Sequence, residues 1–325
     1  MNIYIYYSVD QGNFVQFLIS LASLVENNKN NNLTIYNFDA EISEYQHIKK
    51  ISKKLSTDQI EIINKILKKY NIKNSFIEID VSHLVKKYFF KSNTNEPLHQ
   101  SGIWSVFSYN RCLLPYVKNM PNKILWLDTD TIIGKDLSDL WNIDISDYEW
   151  AGRRDITQYR KFANEKTNLR LKELLNEYPI QNGVMLLNVP KANEIFKKMI
   201  ELQMKENLGP GWDTTFMNYF SKKILELPEK FNSYKYDSNN YIHHVCGTKL
   251  YNKWIFNKAF WKKSFNNREP FVPLSNIFGK EYAIKPDTVY FFKKYPQYKK
   301  YLNIISLIYP DVKTKLRRKL YGTGR

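Results

Sequence analysis

The sequence has little cysteine: two residues in 325, Cys112 and Cys246. That excludes a disulfide framework and a cysteine-based zinc site, and it fits a reducing compartment. No apolar run approaches the ~20 residues that a membrane-spanning helix needs. The N-terminus, MNIYIYYSVDQG, has neither a charged leader nor a long apolar stretch. It reads as a short strand and a turn, not as a signal peptide. The expected location is therefore the cytoplasm, either free or on the inner face of the membrane. The chain has no internal repeat. Acidic residues are few beside basic ones, 32 against 49, giving a formal net charge of +17. Such a balance favours anionic partners such as phosphorylated molecules, nucleic acid or an acidic membrane face, or reflects lysine-rich usage alone. The basic residues are spread along the chain without a recognised nucleic-acid-binding motif, so nucleic acid is not the expected partner.

What the chain does have is apolar and aromatic mass. Hydrophobic residues make up 43%, and there are 24 Tyr, 19 Phe and 7 Trp. That is enough for a sizeable core and excludes a disordered chain. The first part alternates strand and helix patterns. Strands are expected at 3–8, 33–38, 76–79 and 123–127. Helices are expected at 14–26, at 43–70 in two pieces with Ser43 and Ser56 as caps, from Ser82, and at 104–116. Residues 93–101 read as a polar loop. This alternation implies an α/β fold with a largely parallel sheet and helices on both faces. The second part is more mixed, with helices at 169–178, 192–204 and 213–220 and a buried strand at 183–188. From residue 232 the chain is aromatic and loop-rich.

The sharpest local feature is KILWLDTDTII (123–133), where a hydrophobic strand ends in Asp128 and Asp130. Ligands of open α/β sheets bind beyond the carboxyl ends of strands. Two hard oxygen donors there suit Mn2+ or Mg2+, which also take phosphate oxygens. An extended backbone points both carboxylates to one side. A cation between them assists departure of a diphosphate as a Lewis acid. The other reading of the same residues is a strand followed by an acidic turn.

Several further segments stand in a definite order. Asp10, Asn13 and Phe14 follow the first strand. LTIYNFDAEIS (33–43), SYNRCLLPYV (108–117) with Arg111, and DLSDLWNID (136–144) come next. PIQNGVMLLNV (179–189), GWDTTFMNYF (211–220) and HHVCGTK (243–249) complete the set. Together with WLDTDTII, over roughly residues 1–260, this order resembles glycosyltransferase family 8. These are the retaining GT-A enzymes that include bacterial lipooligosaccharide galactosyltransferases and glycogenin. The resemblance implies a GT-A, Rossmann-like nucleotide-sugar-binding domain over 1–260 and a small C-terminal extension over 261–325.

It also implies roles. His244 is the third metal ligand beside Asp128 and Asp130, with His243 as the neighbouring alternative. Asp10 and Asn13 contact the nucleotide. Arg111 lies near the donor sugar or diphosphate. Gly247 lets the backbone approach the diphosphate, and Lys249, or Lys253, supplies a phosphate charge. Gln181, with Asn182 after it, stands where the family has Asn. Asp213 keeps the first carboxylate of a D-Q-D element. Asp155 either faces the acceptor or sugar, or pairs with Arg153 or Arg154. Two departures fall in that D-Q-D element: Thr214 replaces Gln and Thr215 replaces Asp. Thr214 without a neighbouring base is a poor nucleophile, which weakens a covalent scheme and leaves a front-face one.

The expected activity is a Mn2+-dependent (or Mg2+-dependent), retaining transfer of galactose or glucose from a UDP-sugar. The acceptor is a glycan, lipid-linked as in lipopolysaccharide biosynthesis or carried on a glycoprotein. The alternatives are a catalytically weak glycan-binding relative and a basic nucleic-acid-binding protein. The tail combines apolar residues at 301–309 with Lys313, Lys315, Arg317, Arg318 and Lys319. That pairing suits peripheral contact with an anionic membrane, or a helix packed on the catalytic domain.

Overall fold

The computed structural model of the protein describes residues 1–11, 13–41, 54–90, 106–154, 179–205, 212–234 and 237–244. The readings made for 43–53, 93–101 and 169–178 lie outside the described residues. So do Asp155, Cys246, Gly247, Lys249, Lys253, the 261–325 extension and its basic tail.

The chain begins β1 (Asn2–Tyr7), α1 (Phe14–Asn27), β2 (Asn32–Asp39), α2 (Thr57–Tyr70), β3 (Ser75–Asp80) and α3 (Ser82–Phe89). A 3-10 segment (Val106–Tyr116) leads to β4 (Lys123–Leu127), β5 (Thr131–Ile133), α4 (Ser138–Trp141) and β6 (Trp150–Arg154). Then come β7 (Ile180–Asn188), α5 (Val189–Lys205), α6 (Trp212–Phe220) and β8 (Ile224–Glu226). A short 3-10 turn (Glu229–Phe231) precedes β9 (Ile242–His244).

Seven strands form one sheet in the order β3-β2-β1-β4-β7-β6-β8, and β5 pairs separately with β9. The four strands β3, β2, β1 and β4 run parallel, as the strand-helix alternation predicts. The second half departs from it: β7 runs antiparallel to both β4 and β6. A parallel neighbour needs a crossover connection. Between β4 and β7 the chain instead lays down β5, α4 and β6, and β7 enters the sheet from the opposite end.

The central strands β1, β4 and β7 are buried on both faces. Ile3, Ile5 and Tyr7 of β1 point to one side, against Phe17, Leu21 and Leu24 of α1 and Ile63 and Ile66 of α2. Tyr6 points to the other, with Trp126 of β4, Phe196 of α5 and Phe216 of α6. The alternation follows from the two-residue period of a strand, and double coverage explains its nearly unbroken apolar runs.

Two local readings are resolved. Ser56 caps α2 in a reciprocal box: the Gln59 N–H donates to Ser56 Oγ at 3.3 Å and the Ser56 N–H to Gln59 Oε1 at 2.7 Å. The helix expected at 104–116 is a 3-10 segment over its described part. Pro115 has no N–H to give the Arg111 carbonyl, so the α-helical pattern loses a bond there.

Candidate active site

The site lies where β4 ends. The Asp128 N–H donates to the Gly183 carbonyl of β7 at 2.8 Å. The chain then turns, with the Thr131 N–H donating to the Asp128 carbonyl at 3.2 Å. The backbone at Asp128-Thr129-Asp130 is thus a turn, not the extended stretch expected from sequence. A buried hydroxyl chain secures it. The Thr131 hydroxyl donates to the Asp128 carbonyl at 2.7 Å, and Ser20 Oγ of α1 lies 3.2 Å from Thr131 Oγ1 and 2.9 Å from the Tyr7 hydroxyl.

After the turn, β5 pairs with β9 and places Thr131 opposite His244. This brings His244 to the two carboxylates. Nε2 of His244 stands 3.2 Å from Asp130 Oδ1 and 3.9 Å from Asp128 Oδ2. Ligand atoms of Asp128, Asp130 and His244 all lie within 4.8 Å of one another. His243 is opposite Ile132, one step out of phase, and is not part of this group.

β7 brings the second set of residues through a break in its pairing with β6. The register jumps from Gly152–Met185 to Arg153–Gln181, so residues 182–184 are extra on β7. Gly183 sits in that break against the cluster. A Cβ built on it would lie 2.2 Å from His244 Cε1, 2.6 Å from Gln181 Nε2 and 2.8 Å from Asp128 Oδ2. Only a residue without a side chain leaves this space open.

Arg111 closes the other side. It is buried, it donates from Nη1 to the Asn182 carbonyl at 2.8 Å, and its Nη2 stands 3.6 Å from both Asp128 Oδ1 and Asp213 Oδ2. Its guanidinium lies over the Trp126 ring at 4.1 Å. Asn182 Nδ2 donates to Asp213 Oδ2 at 3.1 Å. Asp213, at the start of α6, is therefore tied to the β4 turn through one cation. Thr214 and Thr215 are buried.

Asp10 and Asn13 stand at the carboxyl end of β1, which neighbours β4. They bond each other: the Asp10 N–H donates to Asn13 Oδ1 at 2.9 Å and the Asn13 N–H to Asp10 Oδ1 at 2.8 Å. The structure puts this turn at the same end of the sheet as the cluster.

The electrostatics suit a cation. The Asp128 side chain keeps 30% of its exposure, yet protein encloses it at longer range. This burial pushes its carboxyl above the usual carboxylate range, and repulsion from Asp130 adds to it. Arg111, His244 and the Trp126 N–H act the other way. Arg111 is itself held protonated by Asp213 and Asp128 against the penalty of its own burial. Two crowded carboxylates and an imidazole nitrogen facing one space form a donor set that fits a divalent cation.

Trp126, Gly183 and Asn232 take part in this arrangement and are not legible as site residues from sequence. Trp126 and Gly183 stand inside apolar strand patterns. Asn232, in KFNSY, has no spacing signal at all.

A family model described as glycosyl transferase family 8 matches residues 4–252. The chain belongs to glycosyl transferase family 8. A lipopolysaccharide 1,2-glucosyltransferase of Escherichia coli is 24% identical over 234 residues, 70% of this chain and 61% of that protein. A putative glycosyltransferase of Haemophilus influenzae is 33% identical over 135 residues, 39% of each. The chain thus spans less than two thirds of either relative. Among solved structures, the galactosyltransferase LgtC in complex with donor and acceptor sugar analogues superposes with a TM-score of 0.56. It is 17% identical, with 76% of this chain and 88% of that one covered. The apo bifunctional glycosyltransferase WbbM gives a TM-score of 0.54 at 18% identity, with 71% and 39% covered. At these identities the likeness establishes the GT-A fold that family members share. Among the described residues, no helix is long and apolar enough to cross a membrane.

Proposed function

We propose that this family member is a retaining hexosyltransferase that moves galactose or glucose from a UDP-sugar to a sugar acceptor. The observation that carries this reading is the convergence of Asp128, Asp130 and His244 at the end of β4, walled by Gly183, Gln181 and the Arg111–Asp213 pair.

Asp128, Asp130 and His244 would hold a divalent cation, which would supply Lewis-acid stabilisation to a departing diphosphate. The protein's own residues do the rest. Gly183, with no side chain, keeps the recess open. Arg111 fixes Asp128 and Asp213 from behind and adds buried positive charge beside the leaving group. Gln181 and Asp213 orient the sugar, and Asp10 with Asn13 receives the uridine. Thr214 is not required as a nucleophile, because a front-face attack uses the acceptor hydroxyl itself. The relative in Escherichia coli bears the name of a lipopolysaccharide glucosyltransferase. A surface-glycan sugar, lipid-linked when it is modified, is accordingly the acceptor class we assign.

The test is a panel of UDP-sugars with the purified full chain, assayed for hydrolysis and for transfer to lipopolysaccharide core sugars. Mn2+, Mg2+ and chelator arms run in parallel. UDP-galactose or UDP-glucose should turn over with a divalent cation and stop with chelator. Equal turnover of GDP- or CMP-sugars, or activity that survives chelation, would refute the reading.

A further inference from the structure

We propose that Asn232 is a positioning residue that fixes how both His244 and Gln181 face the carboxylate cluster. The inference rests on the reading of Asp128, Asp130 and His244 as a divalent-cation site.

The relay has a definite direction, set by one backbone group. The Gly183 N–H is a donor under all conditions. It lies 2.7 Å from the Gln181 side-chain amide, and the atom that receives it is necessarily Oε1. Asn232 approaches the same Oε1 at 2.6 Å, so it presents Nδ2 there. Its Oδ1 is then turned to His244 Nδ1, 3.0 Å away. An amide oxygen only accepts, so Nδ1 carries the hydrogen. His244 Nε2 is the ring nitrogen that faces Asp130 and Asp128. In the neutral ring it brings a lone pair to the space between them. A histidine that binds a metal typically donates its other N–H to an oxygen, which sets ring orientation and basicity. Asn232 Oδ1 holds that place here.

The second consequence concerns Gln181. With Oε1 committed to Gly183 and Asn232, its Nε2 is directed to the bare face of Gly183. That point is shared by His244 Cε1 and Asp128 Oδ2. One asparagine therefore sets a nitrogen ligand for the cation and an N–H donor for the sugar-nucleotide substrate.

Asn232 is built to stay in place. It is fully buried. Its N–H donates to the Glu229 carbonyl at 3.0 Å, and Arg153 Nη1 donates to its carbonyl at 3.0 Å. The next residue, Ser233, exchanges backbone bonds with β9, accepting from the His244 N–H at 2.8 Å and donating to Ile242 at 3.0 Å. The strand carrying the ligand and the residue orienting it thus move as one unit.

The experiment titrates Mn2+ alone, and Mn2+ with saturating UDP, into the full-length protein, reading free Mn2+ by electron paramagnetic resonance. KM and kcat are measured with the UDP-sugar that turns over. Asn232→Ala should weaken Mn2+ binding about 10- to 100-fold. Asn232→Asp still accepts from His244 Nδ1 but cannot donate to Gln181. It should keep Mn2+ affinity within about threefold of the wild type and lower kcat by at least about tenfold. If the alanine variant does not fold, the aspartate variant decides alone. Wild-type Mn2+ affinity in Asn232→Ala, or a loss in Asn232→Asp as large as in the alanine variant, or unchanged kcat in Asn232→Asp, overturns the inference. Failure of the wild type to bind Mn2+ even with UDP sinks the cation-site reading itself.

Discussion

The indole N–H of Trp126 donates to Asp128 Oδ1 at 2.8 Å. The two residues are two apart at the end of β4, where strand periodicity sends both side chains to one side of the sheet. Oδ1 is thereby engaged by protein, while Oδ2 is the oxygen nearer His244. The same indole stacks on Tyr6 at 4.2 Å and carries the Arg111 guanidinium on its face. It joins the hydrophobic layer to the charged one.

Trp126→Phe separates these two duties. Phenylalanine keeps an aromatic face for Arg111 but has no N–H for Asp128. A hydrogen bond to a charged group is worth about 1.5–3 kcal/mol. The variant should lose about tenfold or more in kcat/KM at saturating metal, by the same energy scale. Circular dichroism should show the wild-type fold. An unchanged kcat/KM would mean that the Oδ1 contact does not orient Asp128 for turnover.

Asp39 gives a pH prediction outside the cluster. It is fully buried at the end of β2, where its Oδ2 accepts from the Leu55 N–H at 3.1 Å. Burial raises its carboxyl to about 8, helped by a hydrogen bond and repulsion from Glu78; the Leu55 N–H and Lys54 oppose this. The folded protein thus holds a proton that the unfolded chain releases near pH 4. Between about pH 4 and 8 the folded state binds more protons, so this group's contribution to stability falls as pH rises and levels off above the folded value. Asp39→Asn, which still offers an oxygen to Leu55, should flatten the fall. Melting temperatures from pH 5 to 9 should decline less in the variant than in the wild type. Parallel curves would show that Asp39 is ionised throughout.

Much of the fold is legible in the sequence because its signals are local. The apolar period of 14–26, the Ser56–Gln59 box and the KILWL strand each carry their own physical cause, and the structure forms α1, α2 and β4 at those places. The parallel half of the sheet follows from strand-helix alternation. The antiparallel entry of β7 does not, since nothing in GVMLLN records direction. The register jump at Gly152 and Arg153 depends on partners far apart in the chain. The three-residue strands β5 and β9 are too short to show a period, yet their pairing is what carries His244 to Asp130. Asn232 is invisible for the same reason: its role exists only once Gly183, Gln181 and His244 have met.

Gly183 should be the least replaceable residue of the recess. Its backbone is not in the left-handed region, so a side chain there brings no torsional strain. The cost is purely steric. An alanine methyl would lie 2.2 Å from the His244 ring and 2.8 Å from Asp128 Oδ2. Both neighbours are fixed, His244 by β9 pairing and Asn232, and Asp128 by Trp126 and its own N–H bond to Gly183. Relief requires parting the ring from the carboxylate, which widens the Asp128–Asp130–His244 group. Overpacking of this kind costs about 1–3 kcal/mol in stability. The melting temperature of Gly183→Ala should fall by a few degrees, and Mn2+ affinity should fall by about tenfold or more, on the scale of that strain. Asn182→Ala, one position away, removes a bond to Asp213 without entering the recess and should leave Mn2+ affinity near wild type. Calorimetric Mn2+ titration of the two variants side by side checks this. Equal affinity in both would mean that the recess at Gly183 is not where the cation is held.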